Sequence, residues 1–169
     1  MLTPATFIRV SHCFEFSAQT LYDSWLDPAS AARWLFTTLD FRLPEVTMDV
    51  RIGGQFQIKQ GKLQLQGQFH LLERPHQLLF SLSNGQSQPE ADLIRLQFSP
   101  HPFGCELTVT HQLPLVEPIR QQQLIEHWTN ILMRLAAELN EHHQRQTLTV
   151  EQRGTKALQA VSQERQIAI

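Results

Sequence analysis

Two histidines stand where a side chain could do chemistry. His12 falls at even spacing with Ile8, Val10, Phe14 and Phe16, and His111 with Leu107 and Val109. Alternate side chains of a strand share a face, so each imidazole belongs to an inward, apolar side. An inward imidazole can orient a polar group of a ligand or move a proton near neutral pH. It can equally be a core histidine bonded to a carbonyl. That plainer reading comes first, because the sequence alone places no carboxylate beside either ring. Asp92 and Arg95 lie on an adjoining strand, with Arg95 reading outward.

Other groupings carry less. Glu138, His142 and His143 could share one helical face, but a metal site needs three or four convergent ligands, and histidines near a helix C-terminus are favourable without a metal. Gly53-Gly54 and Gly61-Lys62 lack the spacing of a phosphate loop, and Leu63 stands where Ser or Thr is required. The glycines fit a sharp bend or bulge instead. Neither a nucleophile elbow nor a cysteine–histidine signature is present. Cys13 and Cys105 are far apart and in no metal-type spacing, which leaves two free thiols as the expectation. No cofactor is called for.

Bulk properties narrow the class. A chain of 169 residues, 41% hydrophobic and 18% charged, suits one globular domain with a real core. Its net charge of -2 and lack of a basic stripe argue against nucleic acid as a partner. No apolar run approaches the roughly 20 residues of a membrane span. The start, Met1-Leu2-Thr3-Pro4, lacks the features of a signal peptide, so a cytoplasmic location is expected.

The elements that must position the histidines follow from periodicity. A first strand spans 7 to 16. Ser17 caps a short helix over 18 to 25, and Asp27-Pro28 opens a second that ends near Phe36. Residues 37 to 43 read as irregular. A short strand follows over 44 to 49, and Gly53-Gly54 breaks it. Strict alternation then predicts strands from Gln55, over 63 to 73, over 77 to 83, over 91 to 99 and over 105 to 112. Asn84-Gly85 with Pro89 marks a loop, and Pro100 to Gly104 a turn. Pairing each strand with the next gives an antiparallel meander. Residues 117 to 144 carry Leu124, Trp128, Ile131, Leu135 and Leu139 at helical spacing, widened by Ile125, Leu132 and Ala136. Arg134 and Glu138 fall on its wetter side. This helix is the cover for the dry face of the sheet. The domain is set at 1–144, and 145–169 reads as a polar tail, partly ordered or clasping a second subunit in a homodimer.

The motifs resemble a known superfamily. Trp25-Leu26-Asp27-Pro28 followed by Trp34 is similar to a recurrent signature of helix-grip proteins. Asp49-Val50-Arg51-Ile52-Gly53-Gly54-Gln55-Phe56 resembles the element that follows it. Gly67-Gln68-Phe69, Pro75, Leu78-Leu79-Phe80 and Cys105-Glu106-Leu107-Thr108-Val109-Thr110-His111 continue the match, with Trp128 in the last helix. This is the START-like, or SRPBCC, superfamily, in the branch related to the C-terminal domain of the activator of the heat-shock-protein-90 ATPase. The resemblance spans about residues 6 to 140. Ser17-Ala18 lacks the usual proline, and Leu82 replaces a common aromatic.

The resemblance implies an α+β helix-grip fold. A curved seven-stranded antiparallel sheet would wrap a long C-terminal helix, with two short helices between the first two strands. First and last strands would be neighbours, bringing His12 and His111 close. Members bind apolar small molecules or lipids, a few catalyse cyclisation or hydrolysis, and one branch assists a chaperone.

The combined expectation is a protein that binds an apolar or aromatic small molecule, lipid-like or polyketide-like, between sheet and C-terminal helix. The candidate ligand-binding residues are His12, Trp34, Phe36, Phe56, Phe69, Phe80, Ile94, His111 and Trp128. Catalysis of cyclase or hydrolase type in the same pocket is the alternative, and a chaperone-associated interaction module is the third reading. No catalytic residue is assigned.

Overall fold

The computed structural model describes residues 4–35, 43–84 and 91–167, with side chains to 163. The strands are β1 (Ala5–Phe14), β2 (Glu45–Met48), β3 (Gln55–Gln60), β4 (Leu63–Glu73), β5 (Gln77–Ser83), β6 (Asp92–His101) and β7 (Gly104–Pro114). Helices α1 (Ala18–Leu26) and α2 (Pro28–Trp34) lie between β1 and β2, and α3 (Pro118–Ile167) closes the chain. The strands form one seven-stranded antiparallel sheet in the order β1-β7-β6-β5-β4-β3-β2. This is the expected α+β helix-grip layout.

Local chemistry explains the helix starts. The Ser17 hydroxyl accepts from the Thr20 amide at 3.2 Å, and Asp27 Oδ1 accepts from the Ala29 amide at 3.1 Å. Each cap satisfies an amide that has no partner within its helix. Pro28 sits at the first helical position, where its missing N–H costs nothing.

Inward faces of the strands follow the two-residue period. Ile8 and Phe14 on β1, Phe56 and Ile58 on β3, Leu78 and Phe80 on β5, Ile94, Leu96 and Phe98 on β6, and Leu107 and Val109 on β7 are all buried. Gly67 leaves room for one of them. A Cβ there would collide with the Phe56 ring and the Ser81 carbonyl oxygen. Phe56 therefore lies across the bare backbone of β4.

Several features differ from expectation, beginning with β1, which runs over Ala5–Phe14 rather than 7 to 16. β6 runs through Pro100 to His101, and β7 begins at Gly104, so the connection is residues 102 and 103 alone. Pro100 is tolerated because β5 pairs with β6 only as far as Gln97, leaving its missing amide unneeded on that side. The helix α3 does not stop near 144 but continues through Gly154 to Ile167. Residues 145–167 are rich in good helix formers, and one glycine costs only about 1 kcal/mol relative to alanine. Thr147 and Thr149 turn their hydroxyls onto the His143 and Arg145 carbonyls. Finally, Ile125 does not widen the buried stripe; it is exposed, while Leu132 is buried.

The chain divides into two compact units, Met1–Arg134 and Leu135–Ile169. The first holds the sheet, α1, α2 and the start of α3. In the second, helical throughout its described residues, Arg145 reaches Glu138 at 3.5 Å. Arg134 is not on a wet face. Its guanidinium donates to the carbonyl oxygens of Trp34 at 2.9 Å and Leu35 at 3.3 Å, satisfying acceptors at the end of α2. Both cysteines are free thiols, Cys13 exposed and Cys105 buried. Burial pushes the Cys105 thiol up from its ordinary value, with Glu106 adding to the shift.

Candidate ligand cavity

The first unit encloses a cavity of about 300 Å³. Its floor is apolar: Phe56 and Ile58 of β3, Phe69 of β4, Leu78 and Phe80 of β5, Trp25 of α1, and Leu124, Trp128 and Ile131 of α3. Phe56 packs on Phe69 and Phe80 with ring centroids 5.2 and 5.5 Å apart. Polar groups gather at the ends of β5, β6 and β7 and along α3: Ser83, Asn84, Asp92, His111, Arg120 and His127.

The sheet register and α3 together fix the chemistry of His111. Its Nε2 lies 2.9 Å from Asp92 Oδ2, and its Nδ1 accepts from the Trp128 indole N–H at 3.0 Å. An indole N–H can only donate, so Nδ1 bears no proton. The proton sits on Nε2 and is donated to Asp92. Both ring nitrogens are thus engaged and the tautomer is fixed. Asp92 Oδ1 and Trp25 Nε1 are buried without a hydrogen-bond partner among the described residues. Both belong to residues on the cavity wall.

His127 stands one residue before Trp128, on the cavity's helical side. Part of its ring is open to solvent, yet desolvation against the cavity wall holds its imidazole below the usual histidine range, and the charges of Arg134 and Arg120 push the same way.

The candidate residues separate into three groups. Phe56, Phe69, Phe80, His111 and Trp128 line the cavity. His12, Trp34 and Ile94 are not among its lining residues. Ile94 and Trp34 are fully buried core, the latter donating from its indole N–H to the Ser30 hydroxyl at 3.3 Å. His12 packs edge-on against Phe14 at 4.7 Å. Phe36 lies outside the described residues. The expected closeness of His12 and His111 does not occur. β1 and β7 are neighbours, but His111 pairs with Ile8 while His12 pairs with Leu107. A four-residue offset along a strand is roughly 13 Å.

Sequence reasoning missed Asp92, Arg120, His127 and Trp25 as wall residues. A signal existed for Asp92, which shares the parity of Ile94, Leu96 and Phe98 on the inward face of β6. No such signal marked Arg120 or His127, since both are exposed on α3.

A curved antiparallel sheet, a long C-terminal helix and a cavity with α3 in its wall define a START-like helix-grip protein. The chain belongs to the family described as Activator of Hsp90 ATPase homolog 1-like protein, whose model matches residues 15–140. Solved structures share the fold at low identity. A protein of unknown function from Staphylococcus aureus, SA2116, is 13% identical with a TM-score of 0.71, covering 84% of this chain and 98% of that one. DynU16, a protein of the dynemicin biosynthetic locus, is 18% identical with a TM-score of 0.68, covering 79% of this chain and 47% of that one. CalU16 from Micromonospora echinospora is 20% identical with a TM-score of 0.59, covering 83% of this chain and 79% of that one. No curated protein matches this sequence.

Proposed function

We propose that this chain binds one apolar or aromatic small molecule in the cavity between the sheet and the start of α3. The observation that carries this reading is the apolar floor, with a few polar groups in its wall and a volume of about 300 Å³. Small-ligand sites are commonly built this way, and that volume is at the lower end of their range. Burial of ligand surface supplies the drive at ~25 cal/mol per Å². Phe56, Phe69, Phe80 and Trp128 provide apolar contact. Asp92 and Trp25 provide orientation, since a buried polar atom left unpaired costs about 1–3 kcal/mol and a ligand hydroxyl or carbonyl can relieve it.

Binding ranks ahead of catalysis of cyclase or hydrolase type, because His111 has no free nitrogen with which to move a proton. A chaperone-assisting role rests on the family description alone. Bulky apolar dyes should bind one per chain, and Phe80→Ala should weaken them about tenfold, equivalent to 1.4 kcal/mol. Dyes that bind no better than to an unrelated protein of similar size would remove the proposal. Native mass spectrometry of protein purified from its host would report the co-purifying molecule directly.

A further inference from the structure

The rim of the cavity carries charge that its floor does not require. Arg120 and His127 both line the cavity and are both solvent-exposed, which places them at its mouth. They stand seven residues apart on α3, two turns along one face. Arg134 continues the same spacing but is spent on the carbonyls of Trp34 and Leu35. Arg120 is different: no acidic side chain among the described residues lies within ion-pair distance of it. The acid on the cavity wall, Asp92, already accepts from His111. Glu126, next to His127 in sequence, accepts from Gln122. Two other exposed lining residues, Leu63 and Asn84, are uncharged.

We infer that the cavity's ligand is an amphiphilic organic acid, its apolar body among Phe56, Phe69 and Phe80 and its carboxylate at the mouth between Arg120 and His127. This inference rests on the binding reading above. A guanidinium at the edge of a low-dielectric space can meet a carboxylate with two parallel charge-assisted hydrogen bonds. A cleft with one sign of charge at its entrance also raises the local concentration of the opposite ion. His127, whose charged form is disfavoured by partial desolvation at the mouth and by its cationic neighbours Arg134 and Arg120, gains most from an arriving anion.

The test compares decanoate, decanol and decylamine by titration calorimetry on the full chain at low ionic strength. They share one apolar body and differ in head charge. Decanoate should bind about tenfold more tightly than decanol, and decylamine more weakly than either. Added salt should shrink the advantage, because the mouth is solvated. In the double variant Arg120→Ala/His127→Ala the acid-to-alcohol ratio should fall to about one, whereas Arg9→Ala, on the exposed face of β1, should keep it. Both mouth residues are exposed, so the double variant is expected to fold, which circular dichroism checks. Equal affinities for acid and alcohol, a preference for the amine, or a ratio unaltered in the double variant would each overturn the inference while leaving the cavity reading intact. Failure of all three compounds and of the apolar dyes would overturn both.

Discussion

Trp128 is bound into the site by its edge as well as its face. Its N–H holds the Nδ1 of His111, its ring lies tilted beside that of Trp25, and its body forms part of the cavity floor. Replacing it with phenylalanine removes the donor while keeping most of the apolar bulk. Trp128→Phe should therefore cost about 1–3 kcal/mol, the range for a buried acceptor left without its partner, with a smaller share from lost volume. Chemical denaturation followed by circular dichroism would measure it. A loss near zero would mean that His111 finds another donor. At this scale the sequence was half legible. Parity predicts an inward face for His111, and Asp92 shares the parity of the inward Ile94 on the adjoining strand. It could not show that they would bond, because that depends on a diagonal contact set by the β6–β7 register, in which Ile94 rather than Asp92 faces His111.

Elements were more legible than contacts, and the exceptions have causes. The caps at Ser17 and Asp27 are local chemistry and appear where their residue types place them. The distance between His12 and His111 depends on how β1 slides against β7, which composition does not encode. The end of α3 lies beyond the position its stripe predicts, because an amphipathic stripe reports what a helix packs on, and a helix can outlast its stripe. Gly67 shows an element-scale constraint that a lone sequence hides. Its vacancy seats the Phe56 ring, so Gly67→Ala should force ring or backbone to move and cost about 1–3 kcal/mol. A thermal scan should then show a fall of about 2–4 °C per kcal/mol lost. An unchanged midpoint would mean that the β4 backbone gives way freely.

At the scale of the whole molecule, the outer charges contribute little to holding the fold. Arg74 and Asp23 form a paired contact, Nε to Oδ1 and Nη2 to Oδ2, both 2.8 Å, tying α1 to the turn after β4. Both side chains are more than half exposed, so the pair should be worth less than about 1 kcal/mol. The hydrogen bond from Arg74 holds the Asp23 carboxyl below its ordinary value, with burial opposing in part. A carboxyl depressed in the folded state stabilises above its unfolded pKa, and that stability is lost as pH falls through the folded value. Asp23→Asn should thus cost up to about 1 kcal/mol near pH 7, and that cost should shrink as the pH is lowered through the folded value toward about pH 2. Denaturation curves at the two pH values decide it. A deficit that persists in acid would assign the effect to packing instead.

The chain has three tryptophans, and they form a single cluster. Trp25 meets Trp34 edge-on at 4.6 Å and Trp128 at 6.4 Å, and two of the three line the cavity. Near-ultraviolet light absorbed by any of these indoles is therefore shared within one small region beside the ligand space. The native emission of the unlabelled polypeptide is a built-in optical gauge of that region, with no tryptophan elsewhere in the sequence to dilute the signal when something enters.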